Sequence, residues 1–245
     1  MDLMEPYIKL AEIYDRLMDH VDYSHWSDYI LNLINNSGRE VGSIIDLSCG
    51  TGSLIHQLQG KIHTIFGCDN SKEMIREAHK KKKINPDDLF VNDIREAAIK
   101  DNCFDCVLFL YDSLNYLIDD ISLKNSLVEI YRILKKNGLF IFDVVSEEHC
   151  IEHYGDFHES EYWEDEGYSR HSFYDSENKF QFNEFRIVIK GETFIEKHQQ
   201  KVYDLDYLKN ILSKSHFKTI GTYNDFSDQA IERNPGRIHF LCTKL

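Results

Sequence analysis

The chain has 245 residues, of which 42% are hydrophobic and 13% aromatic, and its formal net charge is −14. This length and composition suffice for one large globular domain, or for one domain that carries an insertion. An acidic surface repels phosphate backbones, so we expect no nucleic-acid partner. The one basic run, from His79 to Lys83, is expected at the end of a helix in contact with solvent.

Apolar segments and cysteines indicate the compartment in which the protein is expected. No segment approaches the ~20 apolar residues of a membrane span, and the first ten residues lack the pattern of a signal peptide. The six cysteines are scattered and several lie in apolar runs, which is typical of reduced core thiols. Cys103 and Cys106 have C-x-x-C spacing, but no second pair follows, so we expect buried thiols and no metal site. The sequence predicts a cytoplasmic protein without a membrane partner.

The first part of the chain alternates between apolar strands and helical patterns. A helical stretch from Tyr7 to Asn35 is predicted to pack before the first strand. The predicted strands are Ser43–Leu47, His63–Cys68, Leu89–Asn92, Phe104–Leu110 and Leu139–Val144, and the helices between them are Ser53–Leu58, Ser71–Lys82 and Leu123–Lys135. This alternation indicates a parallel sheet covered on both faces, with ligands bound beyond the carboxyl ends of the strands.

The pattern changes after Val145. Residues 146–203 are rich in Tyr, Phe, Trp, Glu and His, and apolar and polar residues alternate in runs such as Phe180-Gln181-Phe182. This alternation predicts an antiparallel insertion of several strands. A helix (Asp204–Ser215) and two strands (Thr219–Tyr223 and Arg237–Thr243) then return to the first pattern.

The first predicted strand runs into a glycine turn, Ile44 to Ser53, with the sequence IIDLSCGTGS. Gly50 and Gly52 allow a ligand to approach the main chain, and Asp46 needs a partner at a buried strand end. A phosphate-binding P-loop is excluded, because no Gly-Lys-Ser/Thr follows. Ile55 stands where a dinucleotide site has its third glycine, which disfavours NAD. The remaining alternative is a ligand with an adenosine but no phosphate.

Two further carboxylates follow strands in the order that such a ligand needs. Asp69 lies after the second strand in GCDNS, and its acceptor-only carboxylate suits two ribose hydroxyls. Met74, one helical turn later, suits packing on adenine. Asp93 lies after the third strand in VNDI, where it can accept from the adenine amine. Each Asp alone is typical of a helix cap or loop, but the set with Asp46 favours the adenosine-bearing ligand.

These motifs resemble, in sequence order, those of class I S-adenosylmethionine-dependent methyltransferases. The matching segments are IIDLSCGTGS, GCDNS, VNDI and FDCVLFLYDSLNYL, and they span Ser43 to Val144. KLAEIYDRLM and VDYSHWSDYI resemble the N-terminal cap of a bacterial subfamily of small-molecule methyltransferases. That subfamily has an antiparallel insertion after the fifth strand, as have the glycine and nucleotide-sugar N-methyltransferases.

The resemblance implies an α/β fold, a doubly wound, seven-stranded and mostly parallel Rossmann-like sheet with one reversed strand and an antiparallel β insertion. Residues 1–145 and 204–245 would form the methyltransferase domain, with residues 1–40 as a helical cap. Residues 146–203 would form a lid over the acceptor. A dimerisation surface is the alternative role for this insertion, and either a monomer or a homodimer is compatible with it.

The resemblance also implies S-adenosylmethionine as cofactor and assigns residues to it. Gly50, Thr51 and Gly52 would line the methionine tail, Asp69 the ribose, Asp93 and Ile94 the adenine, and Leu110 would flank the methyl donor. The full predicted set is Tyr14, Trp26, Asp46, Ser48, Gly50, Thr51, Gly52, Asp69, Asn70, Met74, Asp93, Ile94 and Leu110. Ser48 departs from the family, which usually has Gly or Ala at that position.

The implied reaction transfers a methyl group to a nitrogen or oxygen of a small molecule. The sulfonium is already activated, so no metal is expected, and the enzyme has to position the acceptor and remove a proton. Acceptor-side candidates are Tyr14, Tyr111, Asn115, Tyr116 and His198, and the sequence assigns no base among them. Two alternatives stay open, namely a cofactor-binding regulatory protein without transfer activity and an NAD-dependent oxidoreductase.

Overall fold

The computed structural model describes residues 3–81, 83–227 and 236–245. The strands are β1 (Leu3–Met4), β2 (Ser43–Asp46), β3 (Thr64–Asp69), β4 (Leu89–Val91), β5 (Phe104–Phe109), β6 (Leu134–Val145), β7 (Phe157–Trp163), β8 (Glu166–Asp175), β9 (Phe180–Ile189), β10 (Glu192–Lys201), β11 (Phe217–Asn224) and β12 (Arg237–Lys244). The helices are α1 (Leu10–Leu17), α2 (Tyr23–Asn36), α3 (Ser53–Leu58), α4 (Lys72–Lys80), α5 (Asp120–Ile133), α6 (Glu147–His153) and α7 (Leu205–Lys214).

Seven strands form the larger sheet, in the order β11-β12-β6-β5-β2-β3-β4. Strand β12 runs antiparallel to both of its neighbours, and the other pairs are parallel. The predicted fold class, a seven-stranded sheet with one reversed strand, is therefore confirmed. From β2 the chain first adds β3 and β4 on one side and later β5 and β6 on the other. This topological switch point opens a crevice at the carboxyl ends of β2 and β5.

The core consists of apolar layers on both faces of this sheet. One layer packs β5, β6 and β12 against α5 and α7, and it includes the stacked rings of Phe142 and Phe240, whose centroids are 4.6 Å apart. The other layer packs β2 and β3 against α2, α3 and α4, around the fully buried Ile30 and Ile55. Burial of such side chains contributes about 1.5–3 kcal/mol each and holds the strand ends in register.

Some predicted boundaries differ from the structure. Strand β6 begins at Leu134, five residues before the predicted Leu139, because it already pairs with Phe104 of β5 there. The predicted N-terminal helical stretch is two helices, and Asp22 caps the second by accepting from the main-chain N–H of His25. Lys82, the predicted end of the third helix, lies outside the described residues.

Four strands of residues 146–203 form a second, five-stranded sheet together with β1, in the order β1-β10-β9-β8-β7. Two features of it were not predicted: helix α6 precedes β7, and β1 pairs in parallel with β10, with Leu3 opposite Ile195. Helix α1 packs on this sheet through Leu10 and Ile13. The N-terminal segment is thus held by the insertion. Among the described residues, no helix combines the length and apolar character needed to span a bilayer.

Candidate functional site

The glycine turn lies at the carboxyl end of β2. Gly50 (φ +54°) and Gly52 (φ +79°) both adopt the left-handed conformation that favours glycine. A Cβ on Gly50 would have Tyr14 as its nearest neighbour, at 3.8 Å, whereas a Cβ on Gly52 would lie 2.6 Å from the Ile84 side chain. Gly50 therefore leaves the main chain open towards Tyr14, and Gly52 lets the turn pack closely against Ile84.

Asp69 ties this turn to the end of β3. Its carboxylate accepts from the main-chain N–H groups of Gly50 and Ser71, each at 2.9 Å. Burial raises the pKa of Asp69 to about 6. The structure thus brings the Asp69 carboxylate and the glycine turn together at neighbouring strand ends.

Ser48 links the turn to the other side of the crevice. Its hydroxyl lies 3.3 Å from both the main-chain nitrogen and the carbonyl oxygen of Leu110, after β5. Its main-chain N–H donates to the buried Asp46 at 3.0 Å, and burial raises the pKa of Asp46 to about 7. A Gly or Ala at position 48 lacks the hydroxyl that makes this bridge, so the departure from the family pattern has a structural role.

A cavity between the two loops forms what we call the donor pocket. Its lining includes seven predicted cofactor residues and two predicted acceptor-side residues, of which Tyr14 belongs to both sets, namely Tyr14, Trp26, Asp46, Ser48, Gly50, Thr51, Leu110 and Tyr111. The sequence did not single out its other lining residues, Tyr23, Cys49, Ser53 and Leu54. The cavity encloses about 50 Å³. This volume is smaller than the roughly 300–1,000 Å³ of typical small-molecule sites.

An ion pair lies beside the glycine turn. The Lys81 ammonium nitrogen is 2.8 Å from Asp15, 3.0 Å from the Thr51 hydroxyl and 2.9 Å from the Ser53 hydroxyl. The Thr51 hydroxyl also donates to Asp15 at 2.5 Å. An ammonium and a carboxylate at one turn complement the two charged groups of an amino acid. Lys81 belongs to the basic run predicted to contact solvent, and its side chain stays partly exposed while it pairs with Asp15.

The predicted cofactor residues outside the donor-pocket lining are Gly52, which packs against Ile84 in the turn after β2, and five residues at or just after the ends of β3 and β4. Asn70 is exposed, and Met74 and Ile94 are buried. The Asp93 carboxylate pairs with Arg95 at 2.6 Å, and this hydrogen bond lowers the pKa of Asp93. An adenine amine would therefore share the Asp93 carboxylate with Arg95.

A buried ion cluster shapes the loop after β5. Tyr111 (φ +60°) and Asp112 (φ +59°) are both left-handed, which is uncommon for residues other than glycine. The Asp143 carboxylate holds them by accepting from their main-chain N–H groups, at 2.7 and 3.0 Å. Arg237 pairs with Asp112 at 2.8 Å and also with Asp143. No local pattern singled out Asp143 or Arg237, which lie in the largely apolar strands β6 and β12.

Asn115, an acceptor-side candidate, bridges the two sheets. Its amide nitrogen donates to the carbonyl of Lys201 in β10 at 2.7 Å, and its amide oxygen accepts from the N–H of Val145 in β6 at 3.4 Å. Asn115 is fully buried. Both ends of its side chain are engaged by main chain, so it holds the second sheet against the core.

Tyr116 and His198, two other acceptor-side candidates, lie in one hydrogen-bonded chain. The Tyr116 hydroxyl is 2.8 Å from His198 Nδ1 and 2.7 Å from the Tyr7 hydroxyl. On the other side of the ring, His198 Nε2 lies 3.3 Å from the Glu196 carboxylate. His198 is 2% exposed and Glu196 is fully buried. The sequence did not single out Tyr7 or Glu196, because their contact spans 189 residues.

The described residues also contain one cluster with metal-ligating side chains, Asp156, His158 and His171. His171 pairs across the strands with His158 and is followed by Ser172, which shares a face of the sheet with His198. Because side chains alternate along a strand, the cluster lies on the opposite face of the second sheet from His198. The prediction that the reaction needs no metal remains a prediction.

Comparisons with known proteins agree with this geometry. A family described as "Methyltransferase domain" matches residues 44–138. YqeM of Bacillus subtilis (strain 168), provisionally named a methyltransferase, is 31% identical over 247 residues that cover 97% of each chain.

Solved structures extend the likeness to the whole fold. An S-adenosylmethionine-dependent methyltransferase from Clostridium acetobutylicum ATCC 824 is similar with a TM-score of 0.83 and 27% identity, covering 97% of this chain and 98% of that chain. The sugar N-methyltransferase KedS8 from Streptoalloteichus sp ATCC 53650 shares the fold with a TM-score of 0.78 at 15% identity, covering 98% and 96% of the two chains.

The donor pocket at the switch point and the relatedness along nearly the whole chain lead to one family. The protein belongs to the class I S-adenosylmethionine-dependent methyltransferases of the Rossmann-like fold, with S-adenosylmethionine as its cofactor.

Proposed function

We propose that the protein transfers a methyl group to a nitrogen or oxygen of a small molecule held between the donor pocket and residues 146–203, which we call the lid. The observation that carries this proposal is the polar face that the lid presents to the loop after β5. His198, Asn183 and Ser172 pair across three lid strands and are all buried. A buried row of hydrogen-bonding side chains suits the recognition of a polar small molecule.

The lid reaches the loop that flanks the methyl donor. The amide nitrogen of Gln200 lies 3.4 Å from the carbonyl oxygen of Asp112, and Asn183 lies 3.5 Å from Gln200. Ser172 donates to Asn183 at 2.6 Å. These bonds form a continuous polar path from the lid to the donor side. The outer face of the same sheet carries the stacked rings of Phe173 and Phe182, so a dimerisation surface there stays the alternative role.

The chain's own residues fit the cofactor at three places. The Asp69 carboxylate suits the ribose diol, and Asp93 with Ile94 lies where the adenine would follow, at the end of β4. Main chain at Gly50 and the Asp15–Lys81 pair suit the methionine tail. When bound, S-adenosylmethionine supplies a methyl group that is already activated, so these residues have to bind and orient it and exclude water.

Two alternatives are separated by activity. Membership of the methyltransferase family excludes the alternative that the protein is an NAD-dependent oxidoreductase. A regulatory protein without transfer activity would bind the cofactor and label nothing. A cytoplasmic location stays part of the proposal, supported by the six free cysteines.

The experiment supplies methyl-labelled S-adenosylmethionine and a bacterial metabolite extract, then separates small molecules from macromolecules for mass spectrometry. We expect a labelled small molecule in the presence of the unmodified protein and none with Asp69→Ala. Label in protein or nucleic acid only would contradict the small-molecule proposal. Cofactor binding without any labelled product, across extracts of varied origin, would favour the regulatory protein. The assembly state, monomer or homodimer, is read from the same sample by light scattering.

A further inference from the structure

We propose that Tyr7, Tyr116, His198 and Glu196 form a one-way proton relay, and that the Tyr7 oxygen accepts the proton that the methyl acceptor loses. The relay rests on the proposed function, since it needs an acceptor with an N–H or O–H group. In this relay Tyr7 is the catalytic residue, because it contacts the acceptor. Tyr116, His198 and Glu196 are positioning residues that act through Tyr7.

The direction of the relay follows from its buried end. An ionised carboxylate can only accept hydrogen bonds, and Glu196 accepts from the N–H groups of Tyr7 at 2.9 Å and Leu10 at 3.0 Å, and also from that of Lys9. Burial opposes the charge, but the hydrogen bonds from His198 and the main chain outweigh it and lower the pKa of Glu196. His198 must therefore present a protonated Nε2 to Glu196.

The rest of the polarity follows from the proposed role of the imidazole, because only a neutral ring can accept a proton. With its proton on Nε2, His198 has a bare Nδ1, which accepts the hydrogen bond from the Tyr116 hydroxyl at 2.8 Å. The Tyr116 oxygen then accepts from the Tyr7 hydroxyl at 2.7 Å. Each donor points towards Glu196. The Tyr7 oxygen is at the outer end, and its lone pairs are available to an N–H or O–H of the acceptor.

Tyr7 lies between the relay and the cofactor-binding loops. Its carbonyl accepts from the Ser71 hydroxyl at 3.3 Å, and Ser71 in turn donates its N–H to Asp69. Its ring packs edge-on against Tyr14, which lines the donor pocket, with centroids 5.9 Å apart. Tyr7 also has φ +64°, a conformation that is unfavourable for a bulky residue and is held here by the Glu196 hydrogen bond.

The proton and the electrons balance along this path. The bond between the acceptor atom and the methyl carbon forms as the bond between that carbon and the cofactor sulfur breaks. The acceptor's proton passes to the Tyr7 oxygen, the Tyr7 proton to Tyr116, and the Tyr116 proton to His198 Nδ1. The Glu196 carboxylate stabilises the resulting imidazolium. Burial raises the pKa of both tyrosines, which disfavours a lasting tyrosinate at either position.

The first test reads the tautomer of His198 and needs no acceptor. Nitrogen-15 NMR of the histidine-labelled protein, with His198 assigned from its absence in His198→Asn, should show a neutral ring protonated on Nε2. Tyr116→Phe should shift the Nδ1 signal, because it removes the hydroxyl that donates to it. The control Tyr162→Phe changes an exposed tyrosine of the lid and should leave the signal unchanged. A ring protonated on Nδ1, or a charged ring at neutral pH, would overturn the polarity of the relay.

The second test measures transfer to the acceptor found by the labelling experiment. Tyr7→Phe and His198→Asn should each lower kcat by about 10²–10⁴-fold, the usual contribution of general acid–base catalysis. The affinity for S-adenosylhomocysteine should stay unchanged, which separates the relay from cofactor binding. If Tyr7→Phe transfers methyl at the unmodified rate, the relay is wrong although the methyltransferase proposal stands. If nothing is labelled, the proposed function fails, and the NMR result still decides the polarity of the relay.

Discussion

Replacing Asp69 by Asn tests the ribose assignment while it preserves the size of the side chain. The carboxylate already accepts from Gly50 and Ser71, so its remaining lone pairs are those available to a diol. An amide oxygen and an NH₂ group cannot replace two acceptor oxygens, so at least one charge-assisted bond to the ribose is lost. Such a bond contributes about 1.5–3 kcal/mol, which corresponds to a roughly 10- to 150-fold weaker affinity.

The assay is isothermal titration with S-adenosylhomocysteine, paired with urea unfolding of the same samples. Asp105→Asn is a matched control, because Asp105 also accepts two main-chain N–H bonds, from Gly42 and Ser43, at the opposite end of the sheet. Both variants should lose stability, and only Asp69→Asn should lose affinity. Equal affinities in the two variants would refute the ribose assignment.

The pH dependence of binding gives a second readout for the same residue. Burial raises the pKa of Asp69 to about 6, and only the ionised carboxylate accepts from both ribose hydroxyls. Affinity should therefore be highest above pH 6 and weaken as the pH falls through that value, approaching tenfold per pH unit. Asp69→Asn should abolish this inflection. Asp46, whose pKa burial raises to about 7, is still present in Asp69→Asn. Any pH dependence of binding that remains near pH 7 in this variant is therefore assigned to Asp46.

Two further changes test the surroundings of the pocket. Lys81→Met should weaken S-adenosylhomocysteine binding about tenfold, as expected for the loss of one charged hydrogen bond. The control Lys80→Met removes an exposed neighbour and should leave binding unchanged. Identical titrations for the two variants would exclude a role of the Asp15–Lys81 pair in holding the methionine tail. Asp143→Ala should cost about 3–5 kcal/mol of unfolding free energy, because it removes a buried acceptor of two main-chain N–H groups and leaves Arg237 with Asp112 alone. A loss no greater than that of the exposed Asp28→Ala, measured in urea, would contradict this account.

Replacing the whole lid would be a poor test of its role. Strand β1 pairs with β10, and Leu10 and Ile13 of α1 pack on the lid sheet. A deletion would therefore also release α1, which carries Tyr14 and Asp15 to the glycine turn. Point changes on the buried face of the lid avoid this problem.

The sequence by itself determined the α/β class and the position of the cofactor motifs. Apolar runs that alternate with helical patterns are local signals, and so are Gly50 and Gly52 in a turn directly after a strand. The position of Asp69 beside the glycine turn was also predictable, because the carboxyl ends of neighbouring parallel strands meet at one edge of the sheet. The start of β6 was missed because Lys135 to Gly138 has the polar composition of a loop, whereas its pairing with β5 extends the strand.

Only the tertiary structure decided which side chains meet. Tyr7 and Glu196 are 189 residues apart, and Asp112 and Arg237 are 125 apart. Their contacts depend on how the lid docks on α1 and on the register of β12 against β6, and neither leaves a periodic trace in the sequence. Buried charges of this kind are stable only when their partners are in place, so their positions follow from the packed fold and from no local pattern.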